Sequence, residues 1–178
     1  EGSEKPVVPA PYAEETMHGF EYQAACHMIM RGLVNEGLEV VRSIRDRYDG
    51  EKRNPWNEFE CGSNYARSLA SWSLVNAFSG FGCDMTRHMM RFAPIIAWDK
   101  HHYFYALDGA WGTYEQDGAG AVLRVCEGAL SLGRLELPYA QGVKQVALCD
   151  EPVAFVADAR GLDFAQTILI GAGKSLKI

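Results

Sequence analysis

Residues 45–72 read RDRYDGEKRNPWNEFECGSNYARSLASW, and this stretch decides the prediction of the fold. Its first half is rich in charge and broken by Gly50 and Pro55, which is typical of a loop. From Ser63 to Phe81 the chain then carries a single charge, Arg67, in an otherwise uncharged run. A helix that is apolar on nearly every face is buried on most sides, so this run predicts a buried helix.

Two further helices are predicted upstream. Residues 19–33, GFEYQAACHMIMRGL, are apolar on nearly every face and predict a second buried helix. Residues 35–48 differ, because Leu38, Val41, Ile44 and Tyr48 make an apolar stripe at helical spacing and charges cover the rest. The order of buried, amphipathic and buried helix predicts inner helices wrapped by outer ones, as in an α/α barrel or toroid. One and a half hairpins cannot close such a ring, so several helices are expected upstream.

The second half of the chain predicts antiparallel sheet. Short β-rich runs alternate with glycine-containing turns at intervals of about 8–12 residues, which is typical of such sheets. The runs are 103–107, 111–115, 121–125, 129–137, 144–148, 153–156 and 164–170, and a last strand closes the chain.

Composition excludes several classes of protein. The 178 residues have a net charge of −6, which argues against a nucleic-acid footprint or a basic membrane-surface patch. No apolar run approaches the ~18 residues that a transmembrane helix needs. Five scattered cysteines show no CxxC pair, so they predict neither a disulfide framework nor a zinc site, and they weakly favour the cytoplasm.

Arg67 is the residue that most needs an explanation. It is expected in the first turn of its helix, where the helix dipole disfavours a cation, and among apolar neighbours, where an unpaired charge is costly. Glu58 and Glu60 are the nearest candidate partners in sequence. Two interpretations follow: a plain ion pair that ties the loop to the helix, or a Glu58–Arg67 clamp that faces a pocket and holds ligand hydroxyls.

The remaining candidates favour structural roles. Trp56 and Trp72 could stack on a sugar, but aromatic residues at such positions usually pack in a core. Glu21 could equally cap backbone amides or touch a ligand, and His18 is expected to make ordinary polar contacts. No nucleotide-binding, nucleophile-elbow or zinc-protease motif is present, so no catalytic residue, metal ligand or cofactor is predicted.

The chain resembles a known family over the region of these motifs. The GFEYQ block, the RDRYDG, RNPWNE and ECG segments and the YARS segment, in that order from residue 19 to residue 68, resemble the C-terminal catalytic region of glycoside hydrolase family 116. That family contains bacterial β-glucosidases and the non-lysosomal glucosylceramidase. The similarity spans about residues 14–94, the later segment AWGTYEQ also resembles the family, and His18 departs from it where a small residue such as Thr is expected.

The resemblance implies the last part of an (α/α)6 barrel and retaining hydrolysis of β-glycosides by two carboxylates. It also implies that Glu58 and Arg67 bind the outer hydroxyls of a glucose in the −1 subsite. The family's nucleophile and acid/base motifs match nothing in this chain, so both catalytic carboxylates are expected in a missing N-terminal part.

The resulting prediction is an α+β fragment. Residues 1–94 are expected to form partial barrel helices, and residues 95–178 a β-rich segment. The predicted function is the C-terminal portion of a retaining β-glycosidase, inactive alone, that acts on a β-glucoside or related glycoside. The alternative is a carbohydrate-binding or interaction module without hydrolase activity.

Overall fold

The computed structural model of the chain describes residues 17–54 and 67–178. They divide into two compact units between Ala77 and Phe78, which are referred to below as the helical unit and the sheet unit. No helix in these two described ranges is long and apolar enough to cross a membrane.

The helical unit is built on a helical hairpin. Helix α1 spans His18–Met30 and α2 spans Val34–Arg47, and the two helices pack together. A six-residue 3-10 helix, Arg67–Trp72, packs against α1 and leads directly into α3, Ser73–Ser79. The Cys26 thiol of α1 is hydrogen-bonded to the Ser73 hydroxyl at 2.8 Å, and this hydroxyl donates a hydrogen bond to the carbonyl of Ala70 at 2.6 Å.

The predicted amphipathic helix is confirmed, since α2 matches the expected range within one residue and buries Ile44. Helix α1 is found where it was expected, but it is not buried on most sides. Its buried residues, which include Tyr22, Ala25 and Ile29, recur every three or four positions and face one side. On the other side, Phe20 is exposed.

The sheet unit contains one mixed sheet of ten strands. The strands are β1 (Gly82–Asp84), β2 (Met89–Arg91), β3 (Lys100–Ala106), β4 (Ala110–Asp117), β5 (Gly120–Glu136), β6 (Ala147–Leu148), β7 (Glu151–Pro152), β8 (Phe155–Ala157), β9 (Gly161–Gly171) and β10 (Ser175–Lys177). Short 3-10 helices span Met85–Arg87 and Ala140–Gly142.

The long strand β5 organises this sheet. It pairs antiparallel with β4, β9 and β10 and parallel with β2. The β4–β5 register shifts at Gly112, where an added Cβ would lie 1.8 Å from the Arg124 carbonyl oxygen, so glycine is required for the close approach. Phe92 and Tyr114 stack at the centre of the core, with ring centroids 4.0 Å apart, and both side chains are fully buried.

Arg134 of β5 ties several segments of the sheet unit together. Its guanidinium donates to Glu136 at 3.1 Å, to both carboxylate oxygens of Asp158 at 3.1 Å and to Asp163 of β9 at 2.5 Å. The hydrogen bonds from Arg134 to Asp158, with those from the backbone amides of Arg160 and Gly161, lower the pKa of Asp158 to about 2. The carboxylates in turn raise the pKa of Arg134.

The predicted fold class, an α+β fragment whose helices form the last part of an (α/α)6 barrel, is wrong. The described residues form three α-helices and ten strands, so this part of the chain is mostly β and holds no set of barrel helices. The β region begins at Gly82, inside the range that was expected to be barrel helices, and it is mixed rather than purely antiparallel.

The physical reason lies in the uncharged run from residue 63 to residue 81. Lack of charge does not distinguish a long buried helix from short elements, because a helix has no unique signature in apolar content alone. In its described part the run forms the six-residue 3-10 helix and the seven-residue α3, and Leu69 and Trp72 are about two-thirds exposed. Gly80, with φ 59°, then turns the chain toward β1.

Candidate functional site

The structure describes only one of the two predicted sugar-binding residues, Arg67. Glu58 lies outside the described residues, as do Glu60 and Trp56, so the Glu58–Arg67 clamp stays a prediction. Arg67 is the first residue of the 3-10 helix and is half-buried. It was expected in the first turn of a long α-helix, which is wrong.

Arg67 lies against the N-terminal turn of α1. Its Cζ is 5.2 Å from the centre of the Phe20 ring, in the arrangement of a cation–π contact. Its aliphatic stem runs past Gly19 so closely that a Cβ built on that glycine would lie 3.0 Å from the Arg67 Cβ and 3.2 Å from its Cδ. The stem and the charged head are therefore both in contact with one helical turn.

A second arginine lies near the same turn. Arg47, the last residue of α2, forms an ion pair with Glu21 in the first turn of α1. Both side chains are about one-third exposed, so the pair is partly shielded from water and worth more than a fully exposed one. Glu21 also lies where the positive end of the helix dipole favours a carboxylate. This pairing could not be predicted from the sequence, since Arg47 is one of several charged residues on the polar side of α2.

His18 begins α1 and is buried. Its ring lies 4.3 Å from the Tyr48 ring and 6.3 Å, edge-on, from the Tyr22 ring. Burial lowers the pKa of His18 below its ordinary value, and the positive charges of Arg47 and Arg67 lower it further. Burial and the two nearby arginines therefore both favour the uncharged form of the imidazole.

We call the group formed by His18, Gly19, Phe20 and Arg67 the α1 cluster. Its chemically active member is the guanidinium, which carries five N–H donors and no acceptor. Such a group binds oxygen atoms of hydroxyls or carboxylates and cannot act as a general base. The cluster is thus suited to hold a ligand. The sequence singled out Arg67 but missed Gly19 and Phe20, whose roles depend on the packing of two segments almost fifty residues apart.

The sheet unit has two clefts beside the β4–β5 turn. One, of about 510 Å³, is lined by polar side chains that include Lys100, His102 and Glu115. The other, of about 540 Å³, is lined by Gln116 and Tyr139 among others. The hydroxyl of Tyr114, a buried residue outside the cleft lining, donates to Gln116 Oε1 at 2.7 Å and lies 3.0 Å from the Tyr139 hydroxyl.

These sheet-unit groups have internal partners. His102 lies 3.7 Å from Glu115 across the β3–β4 pair, and the polar atoms of Tyr114 and Gln116 bond to each other. The described ranges contain no group of three or more His, Cys, Asp or Glu side chains placed to hold a metal ion. We take the α1 cluster as the candidate site because it contains Arg67, the residue that the sequence singled out, and because the structure places this cation against the Phe20 ring and Gly19.

No family model matches the chain, and a search of curated proteins finds no significant similarity.

Proposed function

We propose that this chain is the C-terminal portion of a retaining β-glycosidase of the β-glucosidase or glucosylceramidase type. In this proposal Glu58 and Arg67 hold the outer hydroxyls of the sugar in the −1 subsite. The observation that carries the proposal is the position of Arg67. Within the block of sequence that resembles family 116, its guanidinium lies over the Phe20 ring at the start of the GFEYQ segment. An α/α barrel is not part of the proposal.

The chemistry of the pair suits a polyhydroxylated ligand. A guanidinium donates hydrogen bonds to hydroxyl oxygens, and a carboxylate accepts hydrogen bonds from hydroxyl protons, so together they satisfy both sides of a sugar hydroxyl pair. Hydrogen bonds to charged groups contribute about 1.5–3 kcal/mol each. Arg67 keeps its charge at all relevant pH values, which makes the donor side of the clamp independent of pH.

In this proposal the carboxylates that cleave the glycosidic bond do not belong to this chain. Retaining hydrolysis needs one carboxylate that attacks the anomeric carbon and a second that protonates the leaving oxygen, about 5–5.5 Å away. We place neither role on any residue of this chain. The 178-residue protein should therefore not turn over an aryl β-glucoside, and clear turnover by the purified chain would overturn this part of the proposal.

Calorimetry with a glucose-configured iminosugar tests the binding role. Such a ligand carries the sugar's hydroxyls, and a half-site without the catalytic carboxylates should bind it with a Kd of about 1 mM. Arg67→Ala should weaken binding at least tenfold, because one or more charged hydrogen bonds are lost. Arg42→Ala is the matched control: Arg42 is a well-exposed arginine of α2 paired to Glu39, and its removal should leave the affinity unchanged.

Two results would contradict the proposal. One is the absence of any measurable heat at saturating iminosugar, and the other is equal affinity of the wild-type protein and Arg67→Ala. Binding that depends on Arg67, in a larger protein that also never hydrolyses β-glucosides, would instead identify a carbohydrate-binding module without hydrolase activity.

A further inference from the structure

Gly19 occupies a position in α1 where the backbone does not require glycine. It lies in the first turn of the helix, and it is not among the residues with positive φ. Glycine in such a position is less favourable than alanine by up to about 1 kcal/mol. The reason for glycine must therefore be sought in what surrounds it.

The space beside Gly19 is bounded most closely by the Arg67 side chain. The three atoms nearest to a built Cβ all belong to that side chain: Cβ at 3.0 Å, Cδ at 3.2 Å and Cγ at 3.5 Å. The Arg67 Cβ is fixed by its own backbone and cannot move away as a side-chain tip can. A methyl group at position 19 would therefore require the Arg67 stem and the α1 backbone to move apart by a few tenths of an ångström.

Phe20 adds a second constraint on the same side chain. The ring attracts the guanidinium through the negative face of its π-system, with Cζ 5.2 Å from the ring centre. Contact of the stem with Gly19 and of the head with Phe20 restricts the rotamers that Arg67 can adopt. A restricted arginine loses less side-chain entropy when it binds a ligand than one that moves freely.

We infer that Gly19 is a positioning residue for Arg67: its missing side chain lets the arginine stem lie against the α1 backbone, and the Phe20 ring then fixes where the guanidinium donors point. This inference rests on the proposed function, in which those donors hold sugar hydroxyls. Hydrogen bonds weaken steeply when distance and angle depart from their optimum, so a small displacement of the stem reduces sugar binding.

Gly19→Ala tests the inference, with Gly118→Ala as the matched control. Gly118 is a glycine of the sheet unit around which an added Cβ would meet nothing within 4 Å. We expect Gly19→Ala to weaken iminosugar binding about tenfold in calorimetry, with unchanged helical circular dichroism because alanine favours helix. Gly118→Ala should bind as the wild-type protein does.

A second measurement does not need the ligand. In the wild-type protein the Arg67 Nε proton should resonate upfield of an exposed arginine, because the Phe20 ring current acts on it. Gly19→Ala should move this resonance toward the exposed value, and Phe20→Leu should do so without affecting the space beside Gly19.

The binding measurement and the Arg67 resonance together distinguish failure of this inference from failure of the proposed function. An unshifted Arg67 resonance in Gly19→Ala overturns the inference, and so does a shifted resonance with unchanged sugar affinity. If the wild-type protein binds no sugar, the proposed function fails, and the inference fails with it as a statement about sugar binding. The resonance then still reports whether Gly19 sets the position of Arg67.

Discussion

The helical unit and the sheet unit differ in how much apolar surface each buries. In the sheet unit a continuous cluster of buried residues, among them Phe92, Tyr114, Leu123 and Leu135, fills the core. In the described part of the helical unit the corresponding cluster has three buried members, Tyr22, Ile44 and Tyr48. Several large apolar side chains of that unit are at least half exposed instead: Phe20, Met30, Leu33, Leu69 and Trp72.

This difference suggests that the sheet unit supplies stability and that the helical unit supplies the proposed binding site. Burial of apolar side chains is the main favourable term in folding, so the sheet unit has the means to be stable. The described part of the helical unit has the smaller buried cluster, and it carries the proposed ligand-holding arginine. Binding sites are often found on the less stable part of a protein, where side chains remain accessible. Substitutions in the two units should therefore have effects of different kinds and sizes.

The largest effect is expected from Phe92→Ala. Phe92 is fully buried and stacks on Tyr114, so its loss leaves a cavity and should reduce the free energy of unfolding of the sheet unit by about 3–5 kcal/mol. Urea denaturation followed by the near-ultraviolet signal of the sheet tyrosines measures this. Phe104→Ala, at a position 44% exposed on β3, is the control and should cost below about 1 kcal/mol. Equal losses for the two variants would mean that the sheet core is not where the stability lies.

Ile44→Ala should produce a smaller loss, in the helical unit. Ile44 is almost fully buried between α1 and α2, and its truncation should cost about 2–3 kcal/mol, toward the lower end for such changes because a small core encloses the site less tightly. The far-ultraviolet helical signal should be lost at lower urea concentration. The exposed substitution Arg42→Ala should leave that midpoint within error, and a loss above about 4 kcal/mol for Ile44→Ala would contradict the contrast between the two cores.

His18 should make the helical unit sensitive to pH. Its pKa is lowered in the folded state by burial and by the charges of Arg47 and Arg67. The unfolded chain therefore takes up a proton first as the pH falls through the ordinary value near 6.5, so the helical unit should lose stability from pH 7.5 to pH 5.5. In His18→Gln the urea midpoint of the helical signal should change less over this range. An identical pH dependence in both proteins would assign the effect to other groups.

The smallest effect is expected at Asp158. Its pKa is lowered to about 2 from an ordinary 3.8, so its favourable contribution is present above the ordinary value and is lost as the pH falls toward 2. The carboxylate is about half exposed and screened, which keeps the effect small. Asp158→Asn should flatten the acid end of the sheet unit's stability curve slightly, whereas Asp99→Asn, with the same change of charge, should not. An acid-end slope identical in the wild-type protein and Asp158→Asn would mean that the contacts of Asp158 with Arg134 do not contribute to stability.

Some elements could be predicted well from the sequence because their apolar residues repeat at a regular spacing. Helix α2 was found within one residue, since its apolar stripe and charged remainder repeat at helical spacing. The runs predicted as separate strands at 121–125 and 129–137 form one strand, β5. Gly128 and Gly133 lie within it, and glycines inside a strand read like turn signals although here they accompany irregular pairing with β4 and β9.

The site was predicted in part. Arg67 stood out because it is the one charge in an uncharged run, which is a property of the sequence itself. Its contacts with Gly19 and Phe20, and the pairing of Glu21 with Arg47, depend on which helical turns meet in space. The pattern of residues along one segment does not show which distant segment it will contact. The partnership of Glu58 with Arg67 stays a prediction.

A titration followed by amide resonances tests the central claim most directly. The claim is that the helical unit, through Arg67, holds the sugar. With a glucose-configured iminosugar, we predict shifts at residues 18–20 and 67–72 that vanish in Arg67→Ala. Shifts confined to the sheet unit around Gln116 and Tyr139, and unaffected by Arg67→Ala, would contradict the claim.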